Sequence, residues 1–155
     1  MNEPYAERRR AVEWLAAQSD DPRRVRREWA QDRPALVPAA GPRFDTIRLP
    51  ATIVHGAAGG TTREGIEAVL AAHGITSAVI TDRPRRGYCV LVPPGTHRRW
   101  NLRGIECPAP SCRIALPAPY RAEPPGTFWL LSPPGEERSL CAPERVRALV
   151  QDRCP

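Results

Sequence analysis

The stretch Ile75-Thr-Ser-Ala-Val-Ile80, Thr81-Asp-Arg-Pro-Arg-Arg-Gly87, Tyr88-Cys-Val-Leu-Val92, Pro93-Pro94-Gly95 reads as two apolar runs around a polar turn. β-branched and aromatic residues suit both runs to a pleated, half-buried strand, and Asp, Pro and Arg suit the interval to a turn. Pro93 and Pro94 lack ladder donors and end the returning strand. A lone hairpin is marginal in water, so this one needs further strands and covering helices.

The flanking sequence offers both. Upstream, Phe44-Asp-Thr-Ile-Arg-Leu49 alternates and stops at Pro50. Phe44, Thr46 and Arg48 point one way and Asp45, Ile47 and Leu49 the other, without deciding which side is core. Thr61-Thr-Arg-Glu64 reads as a capping box opening a helix to His73, closed by Gly74, with Ile66, Val69, Leu70 and His73 as its stripe. Further back, residues 5–18 form an amphipathic helix with Tyr5, Val12, Leu15 and Ala16 on one face and Trp14 at its edge. Asp20-Asp21-Pro22 starts a second helix through about Ala30, burying Val25 and Trp29. Pro34 to Arg43 is a connector. Downstream, short strands are expected at Ile114–Leu116 and Thr127–Leu131. Pro143-Glu144 opens a last helix to about Asp152 with Val146, Leu149 and Val150 inward. The whole is one α/β (α+β) domain over 1–155, with helices at about 5–30, a sheet-containing core at 44–134 and a C-terminal helix at 143–152.

Composition narrows the partners. All 23 basic residues are arginine and the net charge is +6. Guanidinium forks bind phosphate and carboxylate bidentately, so the excess is compatible with nucleic acid. The clusters Arg8-Arg9-Arg10 and Arg23-Arg24 with Arg26-Arg27 read as solvated helix faces neutralised by Glu7, Glu13, Asp20, Asp21 and Glu28. No apolar run approaches the roughly 20 residues of a membrane span, and the N-terminus lacks a signal-peptide pattern, so no membrane partner and a cytoplasmic location are expected. Five cysteines are an odd number, and no Cys-x-x-Cys occurs. Cys107 and Cys112 with Cys89 and His97 make a weak zinc set crowded by Pro108 and Pro110, and Cys89 reads as a small buried residue. Gly56-Ala-Ala-Gly-Gly60 has no following lysine and is a turn rather than a phosphate loop. The histidines, His55, His73 and His97, have no serine or cysteine at recognisable spacing.

Several segments then fall in a familiar order. These are Trp14-Leu15, Arg27-Glu-Trp29, Phe44-Asp-Thr-Ile-Arg-Leu-Pro50, Gly87-Tyr-Cys-Val-Leu-Val-Pro-Pro-Gly95, Ile114-Ala-Leu-Pro117 and Gly126-Thr-Phe-Trp129 with Pro133-Pro134. Their order and spacing resemble the N-terminal domain of bifunctional DNA primase/polymerases, in particular short stand-alone relatives from high-GC bacteria. The resemblance implies an archaeo-eukaryotic primase-like fold, with a mixed or antiparallel RRM-like sheet and flanking helices. In active members it implies paired aspartates on one strand, a Gly-Gly-x-His segment on a hairpin strand contacting the nucleotide, and a third acid. Such carboxylates hold divalent metals that stabilise the attacking and leaving oxygens.

Against that pattern this chain is incomplete. Asp45 stands where the first aspartate falls, but Ile47 replaces the second. Gly87 matches the second glycine, Arg86 replaces the first and Cys89 replaces the histidine, while Glu106 stands for the third acid. The expectation is a non-catalytic domain binding DNA or nucleotide through Arg85, Arg86, Tyr88, Arg98 and Arg99. Asp45 and Glu106 are its catalytic remnants, and no cofactor is expected unless these two converge on Mg²⁺. Two alternatives stand beside it: a protein-interaction module using Trp14, Trp29, Trp100 and Trp129, and a weak metal-dependent nucleotidyltransferase using Asp45 and Glu106. The plainer readings pair Asp45 with Arg43 or Arg48, pair Glu106 with a neighbour such as Arg103, and make Tyr88 and Trp100 core or rim aromatics.

Overall fold

The computed structural model describes residues 3–82 and 86–153; the Tyr5 side chain, Arg85 and Cys154 lie outside the described residues. The chain is mixed α+β. In order it runs α1 (Glu3–Ala16), α2 (Pro22–Ala30), β1 (Ala35–Pro38), β2 (Asp45–Pro50), α3 (Ala51–Ala58) and α4 (Arg63–Ala72). It continues with β3 (Val79–Asp82), β4 (Gly87–Val92), α5 (Thr96–Arg99), β5 (Arg113–Leu116), β6 (Phe128–Trp129) and α6 (Pro143–Arg153). One antiparallel sheet has the order β2-β4-β3-β6, and a second pairs β1 with β5.

The hairpin stands at β3–β4, but its first strand begins at Val79 rather than Ile75. Ile75 is still tied to the end of α4 through Leu70, and Ala78 takes a left-handed φ of 63°, which interrupts an extended run. The Pro34–Arg43 connector hides strand β1, whose partner β5 lies far away in sequence. Pro38 at its end is tolerated because β1 is an edge. The strand expected at Thr127–Leu131 is only Phe128–Trp129.

Both faces of β2 are core. Ile47 and Leu49 pack with Val54 of α3, Ile66 and Leu70 of α4, and Val146 and Leu149 of α6. Phe44, with Cys89 and Leu91 of β4, packs with Leu15 of α1, Val25 and Trp29 of α2, and Val37 and Leu116 of the small sheet. The mixed alternation in the sequence therefore reflects an edge strand whose two faces are both covered. Cys89 is indeed a small buried residue.

Local sequence explains the helices. Asp21 caps α2 by accepting from the Arg24 amide at 3.2 Å, with Pro22 in the first turn. Pro50 ends β2 and starts α3 directly, and Gly59, left-handed at φ 73°, closes α3. The glycine run thus terminates a helix. The cap of α4 is Thr62, one residue later than the predicted box, so Gly65 rather than Glu64 holds the third position and no reciprocal carboxylate bond forms. Among the described residues no helix is long and apolar enough to cross a membrane.

One polar side chain fixes the approach to β2. Gln18 is buried, and its Nε2 donates to Phe44 O at 2.8 Å and Pro38 O at 3.0 Å. Its Oε1 accepts from the Arg43 and Phe44 amides at 3.0 and 3.1 Å. Gly41 lies against it, where an added Cβ would come within 2.9 Å of the amide.

Candidate functional site

The two carboxylates that a metal site would need to converge, Asp45 and Glu106, do not meet. Asp45 shares the β2 face of Ile47 and Leu49, whereas Arg48 points to the other face. Glu106 bridges Arg48 across the strand edge, and its carboxylate meets the Arg48 guanidinium at 3.5 Å, so it lies on the Arg48 side. The sheet separates the two acids, and no group of three His, Cys, Asp or Glu suited to a metal occurs among the described residues.

Asp45 lacks its predicted arginine partner, whereas Glu106 does pair with an arginine. Asp45 is fully buried, and instead of Arg43 or Arg48 it holds His97: Oδ2 accepts from the His97 backbone amide at 2.8 Å and from Nδ1 at 2.7 Å. Asp45 thereby satisfies an amide in the first turn of α5, while its Oδ1 has no partner among the described residues. Glu106 pairs with Arg48 rather than Arg103. Cys107 lies beside this pair. Burial first, then the negative charges of Asp45 and Glu106, push its thiol up to about 12, so it is an inert thiol at neutral pH.

The predicted basic residues divide between the two ends of β4. Arg86 precedes the strand, and Arg98 and Arg99 lie in α5 beyond its end. Six strand residues span roughly 20 Å, too far for one nucleotide to touch both groups. Arg98 and Arg99 are exposed.

Arg86 and Tyr88 open onto a cleft of about 890 Å³ between α3, α4 and the hairpin. Tyr88 is buried at its base, and its hydroxyl lies 2.8 Å from His55 Nε2, with the two rings edge to face. Thr81, the cross-strand neighbour of Tyr88, contributes an Oγ1 that is buried without a partner among the described residues. Ile66, Phe128 and Leu130 form an apolar wall. Arg63 lies over the Phe128 ring at 5.5 Å but is already held by Glu67 at 3.2 Å, Glu123 at 3.3 Å and the Ala122 carbonyl at 2.9 Å. Arg86 makes no ion pair among the described residues. Thr81, His55 and Arg63 carry no local sequence signal for this cleft, because tertiary packing of α3, α4 and the hairpin assembles it.

The tryptophans are largely committed to the interior. Trp29 and Trp129 are buried and donate to Leu116 O at 3.0 Å and Pro117 O at 3.1 Å. Trp100 donates to Ile105 O at 2.8 Å beneath the Arg147 guanidinium, and Trp14 stacks on Phe44. They form no shared aromatic patch. Comparison with family models, with curated proteins and with solved structures finds no match to the chain.

Proposed function

We propose that the chain is a primase/polymerase-fold domain without nucleotidyl-transfer chemistry, and that it binds nucleotide or nucleic acid in the cleft beside the hairpin. The observation that carries this reading is the meeting of Arg86 and Tyr88, both singled out from sequence, on one cleft of about 890 Å³. That size suits a small-molecule site with an apolar wall and few polar groups. The first turn of α3 adds support: no side chain caps it, and Ala51 and Thr52 line the cleft beside Arg86. The Ala51 amide is taken by the Arg86 carbonyl at 3.0 Å, and the later amides of the turn are left to a ligand. A helix N-terminus and a guanidinium together favour a phosphate. The order β2-β4-β3, with helices between β2 and β3 and a hairpin between β3 and β4, is the order a split β-α-β-β unit of an RRM-like sheet would have.

The test is calorimetric titration of nucleoside triphosphates at low salt. Arg86→Ala weakens binding by roughly tenfold, the scale of one lost charge-assisted bond, while the Arg98→Ala, Arg99→Ala pair leaves it unchanged. Absence of binding by the wild-type protein sinks the proposal. Primer extension with Mg²⁺ or Mn²⁺ gives no product, and extension that disappears in Asp45→Ala would restore the enzyme.

A further inference from the structure

The basic face of α2 is left without the neutralisation that its sequence suggests. Val25 and Trp29 bury the inner side of this helix, and Arg23, Arg26 and Arg27 are exposed. Positions i, i+3 and i+4 are neighbours on one helix surface, about 5–6 Å apart. Most of the nearby acids are engaged elsewhere: Asp21 caps the helix, Glu28 pairs with Arg33 at 3.2 Å and Glu13 with Arg9 at 3.7 Å. Among the described residues none of the three arginines has an ion pair.

Among the described residues two large apolar side chains are exposed, Leu36 at 57% and Tyr120 at 49%, and both flank the same helix. Arg24 ties α2 to β1 by donating to Leu36 O at 2.8 Å, and the Tyr120 hydroxyl donates to Trp29 O, fixing the ring at the helix's C-terminal end. Three guanidiniums without an ion pair among the described residues, on a helix whose C-terminal end holds an exposed aromatic ring, suit phosphates and a stacked base. Two isolated apolar groups do not make the apolar face that a bilayer-lying helix buries.

We infer that Arg23, Arg26 and Arg27 bind the backbone of a single-stranded nucleic acid, with Tyr120 stacking on one base. The surface belongs to the α1–α2 side of the sheet, whereas the cleft belongs to the α3–α4 side, so the two sites stand or fall separately.

The experiment measures oligothymidylate binding by fluorescence anisotropy across a salt series. In Arg23→Ala/Arg26→Ala/Arg27→Ala the slope of log K against log salt falls by about 2, from roughly 0.7 per phosphate contact. Tyr120→Ala weakens binding at least fivefold and Tyr120→Phe less, since a stacked base contributes about 1–3 kcal/mol. Circular dichroism and Tm of the triple variant stay at wild-type values, which separates lost contacts from lost folding. An unchanged slope in the triple variant overturns the inference, as does displacement of the oligonucleotide by duplex DNA or polyglutamate at equal charge. Mononucleotide titration of the triple variant keeps the two proposals apart. Retained nucleotide binding with lost oligonucleotide binding supports this surface, and equal loss of both assigns the effect to the cleft.

Discussion

His97 Nδ1 stands 2.7 Å from Asp45 Oδ2, and the His97 backbone amide donates to the same oxygen at 2.8 Å. A carboxylate only accepts, so the imidazole must carry its proton on Nδ1. The residue that sequence likeness marks as a metal ligand is therefore a buried anchor joining β2 to α5.

Breaking that anchor from one side is costly. His97→Ala leaves a buried carboxylate with a single amide donor and lowers stability by about 3–5 kcal/mol. Adding Asp45→Asn removes the stranded charge, so the double variant is more stable than the sum of the two single losses. Urea unfolding of the full cycle checks this, and additive losses would show that the two side chains do not interact.

His73 gives a pH dependence of known sign. Its Nδ1 faces Val69 O at 3.0 Å and its Nε2 faces Asp152 Oδ2 at 2.9 Å, two acceptors that only the imidazolium satisfies together. The Val69 carbonyl first, and Asp152 next, raise its pKa above 6.5 against the opposing effect of burial. Stability from this contact is full below 6.5 and is lost as pH rises through the raised value. Asp152 is mostly exposed, so the pair contributes no more than about 1 kcal/mol. His73→Gln should flatten that part of the stability–pH profile, and Asp152→Asn should flatten it partly.

Cys107 and Cys141 resist thiol reagents in the folded state. Burial pushes them up to about 12 and about 11, helped at Cys107 by Asp45 and Glu106 and at Cys141 by Glu144, with Arg145 opposing. The thiolate is the reactive form, so at pH 8 both label at the rate of opening rather than of chemistry. Mass spectrometry of alkylated peptides, with and without urea, reads this directly.

Gln18→Ala strands the buried Phe44 amide, whereas the Phe44 carbonyl keeps the Gly41 amide at 3.0 Å. A buried unpaired donor costs about 1–3 kcal/mol, so a loss of ~2 kcal/mol in urea unfolding is expected. Gln18→Glu retains the acceptor but not the donor and falls between Ala and wild type.

Local chemistry determined much of this protein from sequence alone. The α2 cap at Asp21-Pro22, the β3–β4 hairpin and the helices ending at His73 and opening at Pro143 were legible because propensity, capping and proline act within a few residues. Strand β1 was not, since its ladder partner comes from residues 113–116. Tertiary packing alone decided that both faces of β2 are buried and that Asp45 meets His97, 52 residues away. It also placed Asp45 and Glu106 on opposite sides of the sheet and left Arg23, Arg26 and Arg27 without acid partners among the described residues. Side-chain partners across a sheet depend on register and on what each face packs against, and neither is encoded within the span of a turn.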